Sequence, residues 1–156
     1  MSAFVELFKE KTMNDFQDRF SELLSENDLS RLKLANAIGI SSTTINGYFN
    51  NNYYPSIDIA IKICNYFNCS LDYLLGLSDE LTNNDKNNNS FINNFHDLIR
   101  ESKQSISSTL KALNMSEYNY YRWKKGMFPK TINLIEIAKY FNVSIDYLVG
   151  IKKVIN

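Results

Sequence analysis

Arg31-Leu-Lys-Leu-Ala-Asn-Ala-Ile-Gly-Ile-Ser-Ser-Thr-Thr-Ile-Asn-Gly-Tyr-Phe-Asn50 is the stretch that decides the fold of this 156-residue chain. A first helix runs to Ile38, and Gly39 can take the left-handed conformation that ends it and opens a tight turn. Ala35 is small where two helices must approach closely. Ser41 offers its side-chain oxygen to the free amides of a second helix. Ile40, Ile45 and Tyr48 point inward and fix the angle between the helices, which leaves Ser42, Thr43, Asn46 and Gly47 outward. A helix, a short turn and a second helix with a polar outer face is the arrangement that seats the second helix in a DNA major groove.

Working outward, the pattern recurs. Residues 55–77 read PSIDIAIKICNYFNCSLDYLLGL and residues 129–151 read PKTINLIEIAKYFNVSIDYLVGI, sharing 11 of 23 positions at an offset of 74. Both end in Ser-x-Asp-Tyr-Leu-x-Gly. Upstream the offset becomes 75, pairing Phe16 and Phe20 with Phe91 and Phe95, and Ile38-Gly39-Ile40-Ser41 with Leu113-Asn114-Met115-Ser116. The sequence reads as a tandem duplication. Residues 78–90 between the copies are polar and Asn-rich and read as a linker.

Each copy predicts five short helices. In the first they fall near 14–26, 30–38, 42–49, 56–67 and 70–76, with Thr12 or Asn14, Ser30, Ser41 and Ser70 as caps. In the second they fall near 91–101, 105–113, 117–124, 130–141 and 144–150. Ahead of the first copy, Phe4, Val5, Leu7 and Phe8 at helical spacing predict an extra short amphipathic helix within residues 1–12. The expected architecture is all-α: that helix, a first domain at 13–77 with its motif at about 31–50, the linker, and a second domain at 91–152 with its motif at about 106–125.

The chain resembles the Cro/phage-repressor (XRE-like) helix-turn-helix family, once per copy. The resemblance rests on Leu34-Ala35, Gly39-Ile40-Ser41 and Ile45 in the first copy. In the second it rests on Tyr121-Arg122-Trp123-Lys124-Lys125-Gly126, Pro129 and Ser144–Gly150. It implies a five-helix, lambda-repressor-like DNA-binding domain that acts as a dimer at operator sites. Three departures matter. A glutamine common at the start of the second helix is Arg31 in one copy, able to pair with a phosphate, and Ile106 in the other, which is not. The small residue Ala35 is Leu110 in the second copy. The glycine after the third helix is replaced in the first copy by Asn50-Asn51-Asn52, with asparagine as the next best left-handed cap.

The two copies differ in charge. Through Asp85 there are six basic and twelve acidic residues; from Lys86 onward there are eleven basic and five acidic. Such asymmetry points one half at a polyanion. In the second copy Arg122, Lys124, Lys125 and Lys130 lie on and just after the recognition helix, where cations release counterions from DNA. There Glu117 can accept from a cytosine amine, Asn119 or Arg122 can donate to purine edges, and Tyr118 and Tyr121 can meet phosphates or thymine methyls. Tyr120 and Trp123 are expected in the core.

The first copy offers Ser42, Thr43, Asn46, Gly47 and Asn50 without a cation on its recognition helix. Gly47, which costs a helix about 1 kcal/mol relative to Ala, either lets DNA backbone approach or marks a helix that no longer reads DNA. The expected function is a DNA-binding transcriptional regulator, a repressor of phage or mobile-element type, gripping double-stranded DNA chiefly through the second domain. The alternative is a protein-interaction module of antitoxin or anti-repressor kind that uses the acidic first domain, with DNA binding secondary or lost. A homodimer is expected, with Phe4, Leu7, Phe8, Tyr147 and Ile151 as candidate interface or core residues.

Other chemistry has little support. The single histidine, His96, has no nucleophile or carboxylate cluster implied by spacing. Cys64 and Cys69 align with Ala138 and Val143 and read as core positions, so no catalytic residue, metal or cofactor is expected. Neither a membrane span nor a signal peptide is expected: no apolar run nears the ~18–20 residues a bilayer needs, and the first eleven residues mix two acidic with two basic side chains. A cytoplasmic protein is the expectation.

Overall fold

The computed structural model describes residues 3–51, 53–82 and 88–150, with residues 3–14 described in backbone only. Every regular element among them is a helix. The chain divides into two compact units, Met1–Asn83 and Asn84–Asn156. Among the described residues no helix is long and apolar enough to cross a membrane.

The first unit holds α1 (Ala3–Glu26), α2 (Arg31–Ile38), α3 (Ser42–Asn50), α4 (Ile57–Phe67) and α5 (Leu71–Leu74). Serine caps set three of the boundaries: Ser30, Ser41 and Ser70 accept from the backbone N–H groups of Lys33, Thr44 and Tyr73. Each satisfies a donor that the helix itself cannot, an effect of about 1 kcal/mol. Gly39 ends α2 at φ 71°, as the turn requires. Phe16, Phe20, Leu34, Ile45 and Ile63 are fully buried, and Phe20 stacks on both Phe16 and Phe49. Ile45 and Tyr48 lie inward as expected, whereas Ile40 is half-buried. Gln17 Nε2 donates to the Tyr48 carbonyl at 2.7 Å and ties α1 to α3.

Two local expectations are corrected. No helix break occurs near Thr12 or Asn14, because α1 runs unbroken from Ala3 to Glu26; that stretch contains neither proline nor glycine, so polar residues alone do not stop it. Nor is Asn51 the left-handed asparagine after α3, for it sits at φ −118°; Asn52 lies outside the described residues. The candidate interface residues Phe4, Leu7, Phe8 and Ile151 lie outside the described side chains. Tyr147 is half-buried, and its carbonyl accepts from the buried Asn94 amide.

Burial of Tyr48 has a measurable consequence. Desolvation first, then Tyr53, pushes its phenol up to about 12. An unfolded tyrosine titrates near 10, so the unfolded chain releases this proton first and stability falls as pH rises from about 10 to 12. Replacing Tyr48 with phenylalanine should remove that proton from the pH dependence of the urea midpoint in this window; an unchanged dependence would assign the alkaline loss elsewhere.

The second unit holds α6 (Phe91–Glu101), α7 (Ile106–Ala112), α8 (Glu117–Lys124), α9 (Thr131–Phe141) and α10 (Ile145–Val149). Ser90, Ser105, Ser116 and Ser144 cap four of these helices through their side-chain oxygens. Asn114, at φ 53°, takes the left-handed turn position after α7. Leu110 is buried, so the larger side chain is accommodated within this core. Trp123, only 3% exposed, meets Phe91 and Phe95 edge-on at 5.6 and 5.7 Å between ring centroids.

Candidate nucleic-acid interface

In the second unit, α8 carries two outward stripes because residues four and seven apart share a helix face. Tyr118, Arg122 and Lys125, which is the C-cap, make one; Glu117, Tyr121 and Lys124 make the other. Tyr120 and Trp123 turn inward, and Trp123 anchors the helix so that the stripes stay out. Tyr118 is 68% and Tyr121 53% exposed. Arg122, Lys124, Lys125 and Glu117 are exposed as well, and Asn119 is half-buried. Lys130 is exposed at the N-cap of α9, after the buried Pro129.

The cations lie along aromatic rings. Lys124 Nζ sits 4.9 Å from the Tyr120 ring centroid, and Lys125 Nζ lies 5.4 Å from that of Tyr121. The ring faces hold the ammonium groups near the helix while their other sides remain open to an anion. Glu117 lies in the first turn of α8, where a carboxylate suits the positive end of the helix dipole. After Lys125, Gly126 at φ 88° reverses the chain, and the Met127 sulfur accepts from Arg122 Nε at 3.4 Å.

Several features had no signal in the sequence. His96 Nε2 and the Tyr120 hydroxyl share a hydrogen bond of 2.8 Å, so the half-buried histidine ties α6 to α8. Tyr120 is accordingly half-buried, with its hydroxyl shifted upward by burial. Met127 and Phe128 are exposed beside the basic residues. An open groove also runs between α7 and α8.

The first unit presents a different face. Thr43 and Asn50 are exposed, and Ser42 and Asn46 half-buried. Arg31 lies over the Phe49 ring at 3.8 Å and donates to Asn46 Oδ1 at 3.4 Å, so two candidate contact residues engage each other. Gly47 is not open as expected: it is buried beneath Tyr53, whose hydroxyl occupies the space a Cβ would need. Tyr53 is 42% exposed and packs edge-on against Tyr48 at 5.4 Å. The glycine seats this tyrosine, and no DNA backbone can reach it while the ring lies there.

That arrangement predicts a non-additive pair. Gly47→Ala alone should gain much less than the ~1 kcal/mol of its helix propensity, because the new methyl displaces Tyr53 from Tyr48. In a Tyr53→Ser background the same change should gain the full amount, read from urea midpoints as a double-mutant cycle. Equal gains in both backgrounds would mean that Tyr53 does not rest on the glycine in solution.

Cys64 is buried with its Sγ donating to the Ser70 carbonyl at 3.4 Å, and Cys69 is half-buried. Among the described residues no group of three or more His, Cys, Asp or Glu side chains is gathered to hold a metal ion.

The chain matches no curated protein and no solved structure. Residues 21–74, from within α1 to the end of α5, match the helix-turn-helix family, and this match supports a DNA-binding, transcription-regulator type of function.

Proposed function

We propose that the protein is a sequence-specific double-stranded DNA-binding regulator of the repressor type, built from two tandem helix-turn-helix domains and used as a homodimer. In this reading α8 enters the major groove and the second domain supplies most of the affinity. The observation that carries it is the outer face of α8: Arg122, Lys124, Lys125 and two exposed tyrosines on a helix anchored by buried Trp123. The family match lies in the first unit, while the cationic surface lies in the second. Blocking polymerase at a promoter needs only tight, correctly placed binding, so no chemical step is invoked.

Selection of duplexes from a random pool by the intact chain, followed by footprinting over a salt series, tests the proposal. A consensus should emerge, and log affinity should fall steeply with log salt, by about 0.9 for each phosphate neutralised. Failure to retain any duplex at low salt would overturn it.

A second reading has its own support. The first unit is rich in acidic residues, carries no cation on α3, and has Gly47 covered by Tyr53. A negative field repels DNA at long range, so this face suits a protein partner, as in an antitoxin or anti-repressor. On that reading, with DNA binding secondary or lost, the isolated chain would retain duplex weakly or not at all.

A further inference from the structure

We propose that the groove between α7 and α8 holds a pyrimidine 5-methyl group beside an amino base that Glu117 reads, an inference that rests on the DNA-binding reading above. The open groove offers about 420 Å³, more room than a lone methyl needs and enough to admit the edge of a base. Ile106 and Leu110 of α7 supply its apolar side, with the exposed Ser107 beside them, and Glu117, Tyr121 and Lys124 of α8 supply the other above Tyr120. Those three α8 residues form one of the two outward stripes, so the groove continues directly from the basic face.

The chemistry of its two walls narrows the occupant. A carboxylate only accepts hydrogen bonds, and beside a polyphosphate it is repelled unless a donor meets it. On the major-groove edges of DNA the donors are the amines of cytosine and adenine; thymine O4 and guanine O6 are acceptors and would oppose Glu117. The apolar group on those edges is the methyl at C5 of thymine. An aliphatic wall next to a carboxylate therefore matches an amino base with a methyl alongside. That methyl has two sources: a thymine at the adjoining base pair, or the same base when it is 5-methylcytosine, whose amine and methyl occupy neighbouring ring positions. Lys124, further along the stripe, is left to meet a phosphate. Ile106 has no polar atom with which to do so, and in this arrangement its side chain serves base selection.

The test uses the intact chain and a duplex selected from a random pool. Single thymines are replaced by deoxyuridine in one set, and single cytosines by 5-methylcytosine in another. Loss of the methyl should weaken binding at one position, or its gain should tighten binding at one position, by about fourfold, the factor one buried methyl is worth. The first result assigns the methyl to a neighbouring thymine and the second to a methylated cytosine. Ile106→Ser should erase the difference and Ile106→Val should keep it, with circular dichroism confirming that both variants are folded. Glu117→Gln, whose amide also donates, should admit thymine or guanine at the position it reads. A flat profile in both sets with the parent duplex still retained would overturn the groove assignment and leave the DNA-binding reading standing. If no duplex is retained at all, both fall.

Discussion

Replacing Arg122, Lys124 and Lys125 together with glutamate is expected to abolish retention of duplex DNA in a gel-shift assay. The change moves the outer face of α8 from three positive to three negative charges beside a polyanion. Each cation placed against a phosphate contributes about 0.9 to the salt slope and most of the non-specific affinity. Reversal adds repulsion to that loss, so the drop should be on the order of 10²–10³-fold near physiological salt. The side chains are exposed, and their removal leaves Trp123 and the core in place. The thermal unfolding midpoint should fall modestly, by the cost of carboxylates at the carbonyl end of α8, with the second unit still folded at assay temperature. A graded control sharpens the test: Lys125→Ala alone should weaken binding evenly across sequences and flatten the salt slope by about one. Full retention by the triple variant would exclude this face as the DNA contact.

Trp123→Ala should have the largest effect on stability, because the indole is the piece on which α6 and α8 pack. It is buried at 3% exposure against Phe91 and Phe95 in edge-to-face geometry. Truncating a buried tryptophan costs about 3–5 kcal/mol, and two aromatic contacts are lost with it. That is a large part of the stability of any small domain, so urea unfolding followed by circular dichroism should show loss of the second unit's transition at much lower denaturant. The chain has a single tryptophan, so in the parent protein its fluorescence follows this unit alone. Trp123→Phe should recover part of the stability and of any DNA retention. A midpoint unchanged in Trp123→Ala would mean that the indole is not buried in solution.

Much of the fold was legible because its determinants are local. Ser30, Ser41 and Ser70 announce helix starts by chemistry that reaches three residues ahead, and each accepts the amide that spacing implies. Gly39 announces a turn through its own backbone freedom. Phe16 with Phe20, and Phe91 with Phe95, mark inner faces by spacing four apart. The misjudged points depend on residues distant in sequence or on the balance of weak signals. Thr12 and Asn14 look like caps, yet nothing around them forces the chain out of α1. Tyr53 lies in a loop with no periodicity to aim it at Gly47, so helix geometry alone made that glycine look open. The groove beside Ile106 likewise arises from two helices meeting, and the identity of Ile106 by itself signals only the loss of a phosphate partner. On α8 the spacing placed Glu117, Tyr118, Tyr121, Arg122 and Lys124 outward and Trp123 inward, because a helix turns its residues by a fixed angle each, whereas Asn119 and Tyr120 at the edges of the face are half-buried.

The contact between Tyr53 and Gly47 also bears on how the first unit can change over generations. Position 47 aligns with Arg122 of the second unit at the offset of 75, so arginine there would place a cation on α3. Any residue with a β-carbon there strikes the phenol first. The ring must therefore be lost or swung aside before a basic side chain can be gained, and its loss alone uncovers Tyr48 and leaves a bare glycine in the helix. A substitution at position 47 alone must displace the phenol from Tyr48, whereas the same substitution after the ring is lost meets open space. Such epistasis makes the value of a cation at position 47 depend on what stands at position 53, a dependence that Arg122 of the basic unit does not share.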